Sequence, residues 1–491
     1  MRAQLSTPCR DLRPLISPPD IHTSFDTIGR IQQTRALRLL ASLPGKRYLT
    51  VVALAVLGFL AAQWLIPEEK EAVATHLLGF PNSNVASHQL RPYLLGILCF
   101  LPSLGALAYA LAGPLDRYLA RQFLGAFAVC SAGLILIWVI LDLNDNLEAF
   151  TAADDAFFFT IRYYGVTFPP VFVLLAPFAL LLGLLYCLGK LSHSREIVAM
   201  IQTGRGIVRT VAPLAAVGVF LSLASFLLNY HWAPWGDGYR DALVEESVKG
   251  SASRAQSFLY FHEGGRRLWW VGSFPYNHHA GTPLRDVEVT TMDEEGRLLN
   301  QLSAPIAHWD ADTRDWRFHN AEITTIANAT GMPTIAKQPG PYTIQGWNET
   351  PWQIVRPGLS PQYLGIPELR SWIDENRETA WEERRPFLTL HHYRWAQPWM
   401  CLVVVLLATP LGIVFTRRGM AGGVSVALIL CAFMLLSAEI FLSLGSAGYL
   451  GPAAAAWGTN IVFVAIAAVL IYQRLRGRPI YQTIKNLLPA N

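Results

Sequence analysis

The stretch Lys190-Leu-Ser-His-Ser-Arg-Glu-Ile-Val-Ala-Met-Ile-Gln-Thr-Gly-Arg-Gly-Ile-Val-Arg-Thr-Val-Ala-Pro213 is a short connection between two long apolar runs. Ser194 can cap a helix, and Glu196 places a negative charge in the first turn, where the helix dipole favours it. Gly204 and Gly206 are natural stops, because glycine tolerates the left-handed backbone that ends many helices. The stretch predicts a helix of about three turns.

This predicted helix is more apolar than an ordinary surface helix. Its apolar surface exceeds the single stripe that packing against one neighbour requires, and it consists of Ile197, Val198, Met200 and Ile201. Two interpretations stay open. The helix lies on the bilayer or packs on neighbouring helices, or it docks against a soluble partner.

The amino-acid composition is that of a membrane protein with a sizeable soluble part. Of the 491 residues, 52% are hydrophobic and 15% are charged, whereas about 25% are charged in an ordinary globular domain. The mean hydropathy is +0.30. The net charge of +4 is small, so nucleic-acid binding is not indicated. The six cysteines lie in apolar runs or in the N-terminal tail, and we expect packing residues rather than disulfides.

Eight apolar runs are long enough to cross a bilayer, which takes about 20 residues. The predicted spans are 48–66, 92–112, 119–141, 165–188, 209–230, 395–415, 421–444 and 453–472. They are preceded by a basic tail, for which we expect disorder apart from a helix over 31–43. The chain therefore predicts a polytopic α-helical membrane protein.

Lysine and arginine in the short loops give one consistent orientation. One side of the membrane receives the N-terminal tail, the 116–121 junction, the 190–209 connection, Arg417 with Arg418, and the C-terminal tail. The positive-inside rule assigns that side to the cytoplasm. Glu196 is therefore expected in the cytoplasm, and the large polar insert is expected outside.

The insert has the alternating pattern of β-strands. Five strands are predicted, at 257–261, 267–273, 284–292, 316–325 and 342–346. Turn signals such as Glu295-Gly296 and Pro339-Gly340-Pro341 separate them. Val287 and Val289 alternate with polar residues, so we expect both to face the interior or a groove. The pattern predicts an antiparallel all-β sheet or jelly roll, followed by a helix over 367–379.

Motifs of catalysis and cofactor binding do not stand out. The spacing from Gly183 to Lys190 is one residue too long for a phosphate-binding loop, and Leu191 stands where Ser or Thr is needed. His278-His279 and His391-His392 are adjacent pairs whose side chains point apart, which disfavours a metal site. We therefore expect no catalytic residue, no cofactor and no metal, and we expect any ATP hydrolysis to fall to a separate subunit.

Three segments together resemble the lipopolysaccharide-export permease family of the LptF/LptG type. The first runs from Leu115-Asp-Arg-Tyr-Leu-Ala-Arg-Gln-Phe to Asp142-Leu-Asn-Asp-Asn-Leu-Glu-Ala-Phe150, and the second is Ser194-Arg-Glu-Ile-Val-Ala-Met-Ile-Gln-Thr-Gly204. The third combines Pro410-Leu-Gly-Ile, Arg417-Arg418-Gly419 and Gly451-Pro452. The likeness covers residues 115–476, leans toward the LptG side and leaves residues 1–113 without a counterpart.

The resemblance implies six core spans with a periplasmic jelly-roll-like domain between the third and the fourth. The predicted organisation is a basic cytoplasmic tail over 1–47, an accessory pair of spans over 48–113, three core spans over 114–230 with a coupling helix at 194–204, the β domain over 231–390, three core spans over 391–476 and a tail over 477–491. By resemblance, two such permeases pair in the bacterial inner membrane and dock on a cytoplasmic ABC ATPase dimer. They pass lipopolysaccharide or a related glycolipid to a periplasmic jelly-roll bridge protein.

The resemblance also implies roles for individual residues. The residues expected to couple the permease to the ATPase are Glu196, Ile197, Val198, Met200, Ile201 and Gly204. Members often carry basic side chains near the outer end of the first core span, where this chain has acidic ones, and Arg162 is the nearest base in sequence. Arg162, Val287 and Val289 are therefore the candidates for the lipid path.

Three other functions were weighed against lipopolysaccharide export. A permease for another envelope lipid or for lipoproteins is disfavoured by the division of the core into three and three spans. A membrane-bound enzyme is disfavoured because the insert lacks a catalytic motif. A non-transporting scaffold or sensor would not need the apolar cytoplasmic helix, because a scaffold need not bind an ATPase.

Overall fold

The computed structural model describes residues 44–79, 84–153, 155–204, 206–250, 253–262, 264–276, 282–310, 313–326, 333–347, 349–377, 380–412 and 421–475. Within these ranges, eight helices of 20 to 38 residues are long and apolar enough to cross a membrane, which confirms the predicted number of spans. The predicted helix at 31–43, His278-His279, Arg417, Arg418 and the C-terminal tail lie outside the described residues.

The first two helices form an accessory hairpin, defined here as Pro44–Gly79 and Val85–Leu111. At Gly58 the helices approach so closely that a Cβ atom would lie 2.5 Å from the backbone oxygen of Cys99. Asn84 caps the second helix by accepting a hydrogen bond from the backbone N–H of Ser87 at 3.2 Å.

Six core spans follow the hairpin in the described part of the chain. They are the first core span Pro114–Asp145, the second Ala156–His193, the third Ile207–Tyr230, the fourth Trp381–Gly412, the fifth Ala421–Ala447 and the sixth Pro452–Leu475. Their shared core includes Phe123, Leu184, Leu188, Val404 and Phe463. Because lipid tails are as apolar as these side chains, close packing rather than hydrophobic burial holds the spans together.

A stem helix, Trp232–Lys249, leads from the third core span into an antiparallel sheet. Its described strands are β1 (Ser253–His262), β2 (Arg267–Pro275), β3 (Leu284–Met292), β4 (Leu298–Asp310), β5 (Asp315–Thr325) and β6 (Thr334–Ile344). They lie side by side in chain order, and each pairs antiparallel with its sequence neighbour. The predicted inserted antiparallel β domain is confirmed.

One face of the sheet carries the core of the β domain. Val287 and Val289 are 0% and 1% exposed and pack in one cluster with Trp269, Trp316 and Phe318. The segment 347–359 covers this face and contributes Trp347, Ile354, Val355 and Leu359. Arg267 pairs with the fully buried Glu349 of that segment at 2.6 Å. The two valines therefore lie in a filled core and not along an open groove.

A row of irregular positions crosses the sheet and explains two errors of the sequence-based prediction, which missed β4 and read Pro339-Gly340-Pro341 as a turn. Ser257, Asp286 and Asn320 have positive φ angles of 48°, 51° and 53°, and strand pairing skips at each of them. Pro305 stands opposite Asp286, and the proline pair around Gly340 stands beside Asn320. Of the three positions, only Asn320 lies at a register shift, but proline is tolerated wherever the ladder is interrupted, so both segments are strands despite their prolines.

A linker helix, Ile366–Glu375, returns the chain from the sheet to the membrane, in place of the helix predicted at 367–379. Its Trp372 stacks on Phe387 of the fourth core span, with the ring centroids 3.5 Å apart. The linker helix is thus packed on the membrane part, and the fourth core span starts earlier in the chain than the predicted residue 395.

We predict that Val289→Asp unfolds the β domain, because a buried carboxylate without a partner costs several kcal/mol. Thr290→Asp is the matched control, since Thr290 lies on the other face of β3 beside Glu288 and Trp270. Limited proteolysis of the full chain should cleave the β domain of Val289→Asp and spare that of Thr290→Asp. Equal resistance of the two variants would contradict the filled core.

Candidate functional site

The connection between the second and third core spans contains a short helix of seven residues, Glu196–Gln202. The three-turn prediction was therefore too long, and the predicted cap is wrong. Arg195, with a φ of 60°, occupies the capping position without a side-chain hydrogen bond. Ser194 instead donates its hydroxyl to Glu196 Oε1 at 2.9 Å. Gly204 follows with a φ of 82°, as the glycine pattern predicts.

Glu196 is tied to the first core span. The Tyr118 hydroxyl donates to Glu196 Oε2 at 2.8 Å. Gln122 donates to the Tyr118 oxygen at 3.4 Å and accepts from Lys190 Nζ at 3.4 Å. A displacement of Glu196 would therefore be felt by the first and second core spans together.

The other predicted coupling residues divide into an inner and an outer set. Ile197 and Met200 are 2% and 7% exposed and belong to the core of the membrane part, and Ile201 packs against that core. Val198 is 36% exposed, and a Cβ atom at Gly204 would meet nothing within 4 Å. A docking partner could therefore reach Glu196, Val198 and Gly204 directly, while Ile197 and Met200 serve the packing of this chain.

An apolar groove of about 360 Å³ lies between the first and second core spans. Its lining includes Ser131, Ile135 and Trp138 of the first span and Phe168, Leu175 and Ala179 of the second. The lining of the second span runs from residue 164 to 179, which at 1.5 Å per residue is about 22 Å along the helix. This exceeds one leaflet of hydrocarbon, about 15 Å. The groove begins near the end of the bundle that faces the β domain and extends past the midpoint of the bilayer.

A second cavity of about 150 Å³ continues the groove into a polar environment, because Trp138 and Val171 line both. Its polar lining comes from Asn229, Asp237, Arg240, Arg394 and Gln397. Asn229 accepts from Arg394 Nη1 at 3.2 Å and donates to the Arg394 backbone oxygen at 2.8 Å. The pair joins the third core span to the fourth within this polar pocket.

Arg240 is the more exposed of the two arginines that line this pocket. It bonds Asp241 at 3.1 Å and lies 3.9 Å from Asp237. Burial alone would lower the pKa of Arg240, but Asp241 and Asp237 outweigh it and raise the pKa, so the side chain is charged. The apolar groove thus ends at a pocket lined by two arginines and Asp237, an arrangement that suits the boundary between the acyl chains and the polar headgroup of a lipid.

Arg162 lies near this pocket but does not line it. It donates to the Tyr239 hydroxyl, and its guanidinium carbon lies 5.3 Å from the centroid of the Tyr239 ring. Asp142, three residues before the end of the first core span, is buried and accepts from the Tyr163 hydroxyl at 3.0 Å. One carboxylate oxygen of Asp142 therefore has an internal hydrogen bond to the second core span.

Sequence reasoning missed the polar pocket, because it is assembled from distant parts of the chain. Asn229 and Arg394 are 165 positions apart. One signal was available: Asp237 and Arg240 share a helix face at i,i+3 spacing beside a span, and Arg394 adjoins another. Ionisable residues at membrane depth are generally functional.

Comparison with known proteins identifies the family of the chain. The sequence profile described as lipopolysaccharide export system permease LptF/LptG matches residues 117–473, which is more than half of the chain and covers nearly all of the six core spans. Comparison with curated individual proteins gives no match. The chain therefore belongs to the lipopolysaccharide export system permease LptF/LptG family.

Proposed function

We propose that the chain is the permease subunit of an ATP-driven complex that exports lipopolysaccharide from the bacterial inner membrane. The family match over the whole core carries this proposal. The groove that ends in a polar pocket supports it, because a glycolipid needs an apolar surface and a charged anchor side by side. The orientation predicted from the basic loops supports a periplasmic position for this pocket and for the β domain.

The groove and the polar pocket would hold the lipid. An acyl chain fits between the first and second core spans, and a phosphate on the sugar headgroup would replace the carboxylates that Arg240 now contacts. Arg162 would act through its hydrogen bond to Tyr239, the residue that precedes Arg240. The first core span leaves much of its surface free for a second homologous permease, since none of its most apolar window is buried.

The connection helix would receive a cytoplasmic ABC ATPase dimer. In this proposal Glu196, Val198 and Gly204 contact the ATPase, and Ile197, Met200 and Ile201 transmit the movement to the core they pack against. The Tyr118 hydrogen bond carries the same movement to the first core span, which is one wall of the groove. ATP hydrolysis could thus alter the width of the groove.

The β domain would pass the lipid to a periplasmic jelly-roll bridge protein. Among the described strands, β1 and β6 form the two edges of the sheet and can each pair with a further strand. Val287 and Val289 would meet acyl chains only after the segment 347–359 leaves the sheet face that it covers. The lipid path through the β domain therefore requires an opening of that segment.

We predict that Glu196→Lys and Val198→Asp each abolish co-purification of the ATPase in mild detergent. Each change places a charge on the surface offered to the partner, and desolvated interface contacts are worth about 2 kcal/mol or more. Val198→Asp is a more specific test of docking than a change at Ile201, because Val198 lies outside the core, whereas Ile201 packs against it. Glu148→Lys, the same charge reversal at an exposed residue at the opposite end of the first span, is the control. ATPase yields equal to that of the control would remove the docking proposal.

We predict that Arg240→Gln lowers the amount of lipopolysaccharide that co-purifies with the permease by about tenfold. A hydrogen bond to a charged group contributes about 1.5–3 kcal/mol, and about 1.4 kcal/mol corresponds to a factor of ten. Arg266→Gln, on the exposed turn between β1 and β2, removes the same charge far from the groove and should leave the yield unchanged. Unaltered lipid binding in Arg240→Gln would exclude the polar pocket as the headgroup site.

A further inference from the structure

The accessory hairpin lies outside the part of the chain that matches the family, yet it contacts both ends of the β insert. Its first helix has 36 residues and a length of about 54 Å, well beyond the hydrocarbon thickness of about 30 Å. Leu57 and Trp64 in the middle of this helix are 61% and 69% exposed, as expected for lipid-facing side chains. Its C-terminal turns, with Glu69 and His76, reach the level of the stem helix and the linker helix, which are together called the two stems of the β insert.

The hairpin meets the entry to the insert at the end of the third core span. The Tyr230 hydroxyl donates to the backbone oxygen of Ser87 at 2.9 Å. Trp232 Nε1, at the start of the stem helix, donates to Glu69 Oε2 at 3.4 Å. Deeper in the bundle, Leu101 of the hairpin packs in one cluster with Ala224 and Leu227 of the third core span.

The hairpin also meets the exit from the insert, along the linker helix. Asn84 donates its side-chain amide to Asp374 Oδ2 at 3.0 Å and its backbone N–H to Ser371 Oγ at 3.0 Å. His88 Nε2 lies within hydrogen-bond distance of the same Ser371 hydroxyl, at 3.2 Å. Three hydrogen-bond contacts thus join the start of the second hairpin helix to the linker helix.

Buried charges connect the entry and exit contacts. Glu368 of the linker helix pairs with His231 at 2.7 Å and lies 3.9 Å from Arg91 of the hairpin. Arg91 in turn pairs with Glu69 at 2.6 Å. Burial would raise the pKa of Glu368, but His231, His88 and Arg91 outweigh it and hold the pKa well below its usual value. A buried charge that loses its partner is strongly destabilising, so this network favours one arrangement of the three elements.

We propose that the accessory hairpin is a brace that holds both stems of the β insert, Trp232–Lys249 and Ile366–Glu375, at a fixed position over the core spans. The hairpin is anchored in the lipid by its own apolar surface and grips each stem through polar side chains. It therefore fixes the base of the β domain where the chain enters and leaves the insert. The brace does not depend on which lipid the permease carries.

Hydrogen–deuterium exchange of the full chain in detergent tests the brace. Asn84→Ala removes the amide contact to Asp374 together with the cap on Ser87, and Glu69→Gln and Arg91→Gln weaken the buried network without touching that cap. We expect each to speed amide exchange in the two stems by about tenfold or more, while β2–β4 and the second core span keep their protection. Glu68→Gln, at the exposed neighbour of Glu69, should match the wild type.

Two results would overturn the brace. The first is wild-type exchange in the stems of all three variants. The second is an equal acceleration throughout the chain, which would mean that the network supports overall stability and does not hold the stems locally. Neither readout involves lipid or ATPase, so failure of the brace leaves the export function untouched, and failure of export leaves the brace untouched.

Discussion

The close approach of neighbouring elements to the second core span, Ala156–His193, is the constraint on which the rest of the membrane part depends. A Cβ atom at Gly183 would lie 2.9 Å from Cα of Phe127 in the first core span. At the other end, a Cβ atom at Gly236 of the stem helix would lie 2.6 Å from the backbone oxygen of Val166. At both positions the glycine lies against the backbone of a neighbouring helix, so a larger residue would fit only if one of the helices moved. Lipid does not drive apolar helices together as water does, so this shape complementarity stabilises the membrane part.

This packing links the groove to the connection helix through the first and second core spans. The first core span lies against the second at Gly183, and the two meet again where Asp142 accepts from the Tyr163 hydroxyl at 3.0 Å, with the groove between these contacts. At the other end of the same pair, Tyr118 of the first span binds Glu196 just beyond the second. A displacement of Glu196 would therefore act on the first core span, which is also a wall of the groove.

The sequence predicts the elements that are determined locally. Each span is an apolar run of sufficient length, so all eight could be identified from composition. β4 could not, because Pro305 argues against a strand unless the interruption of pairing opposite Asp286 is known. The apolar residues of the connection helix are visible in sequence, but only packing shows that Ile197 turns inward and Val198 outward. The Asn229–Arg394 pair and the Arg91–Glu368 contact join residues that are far apart in the chain, and no local pattern predicts them.

Site-specific photocross-linking in living cells tests the central claim most directly, namely that lipopolysaccharide occupies the groove between the first and second core spans. A photoreactive residue at Ile135 would report from inside the groove, and one at Ile440 of the fifth core span, which is 49% exposed, would report from a lipid-facing surface elsewhere. We expect a lipopolysaccharide adduct at Ile135 that depends on ATP, and at Ile440 no more than background. An adduct at both positions in equal amount, or at neither, would contradict the assignment of the groove as the lipid path.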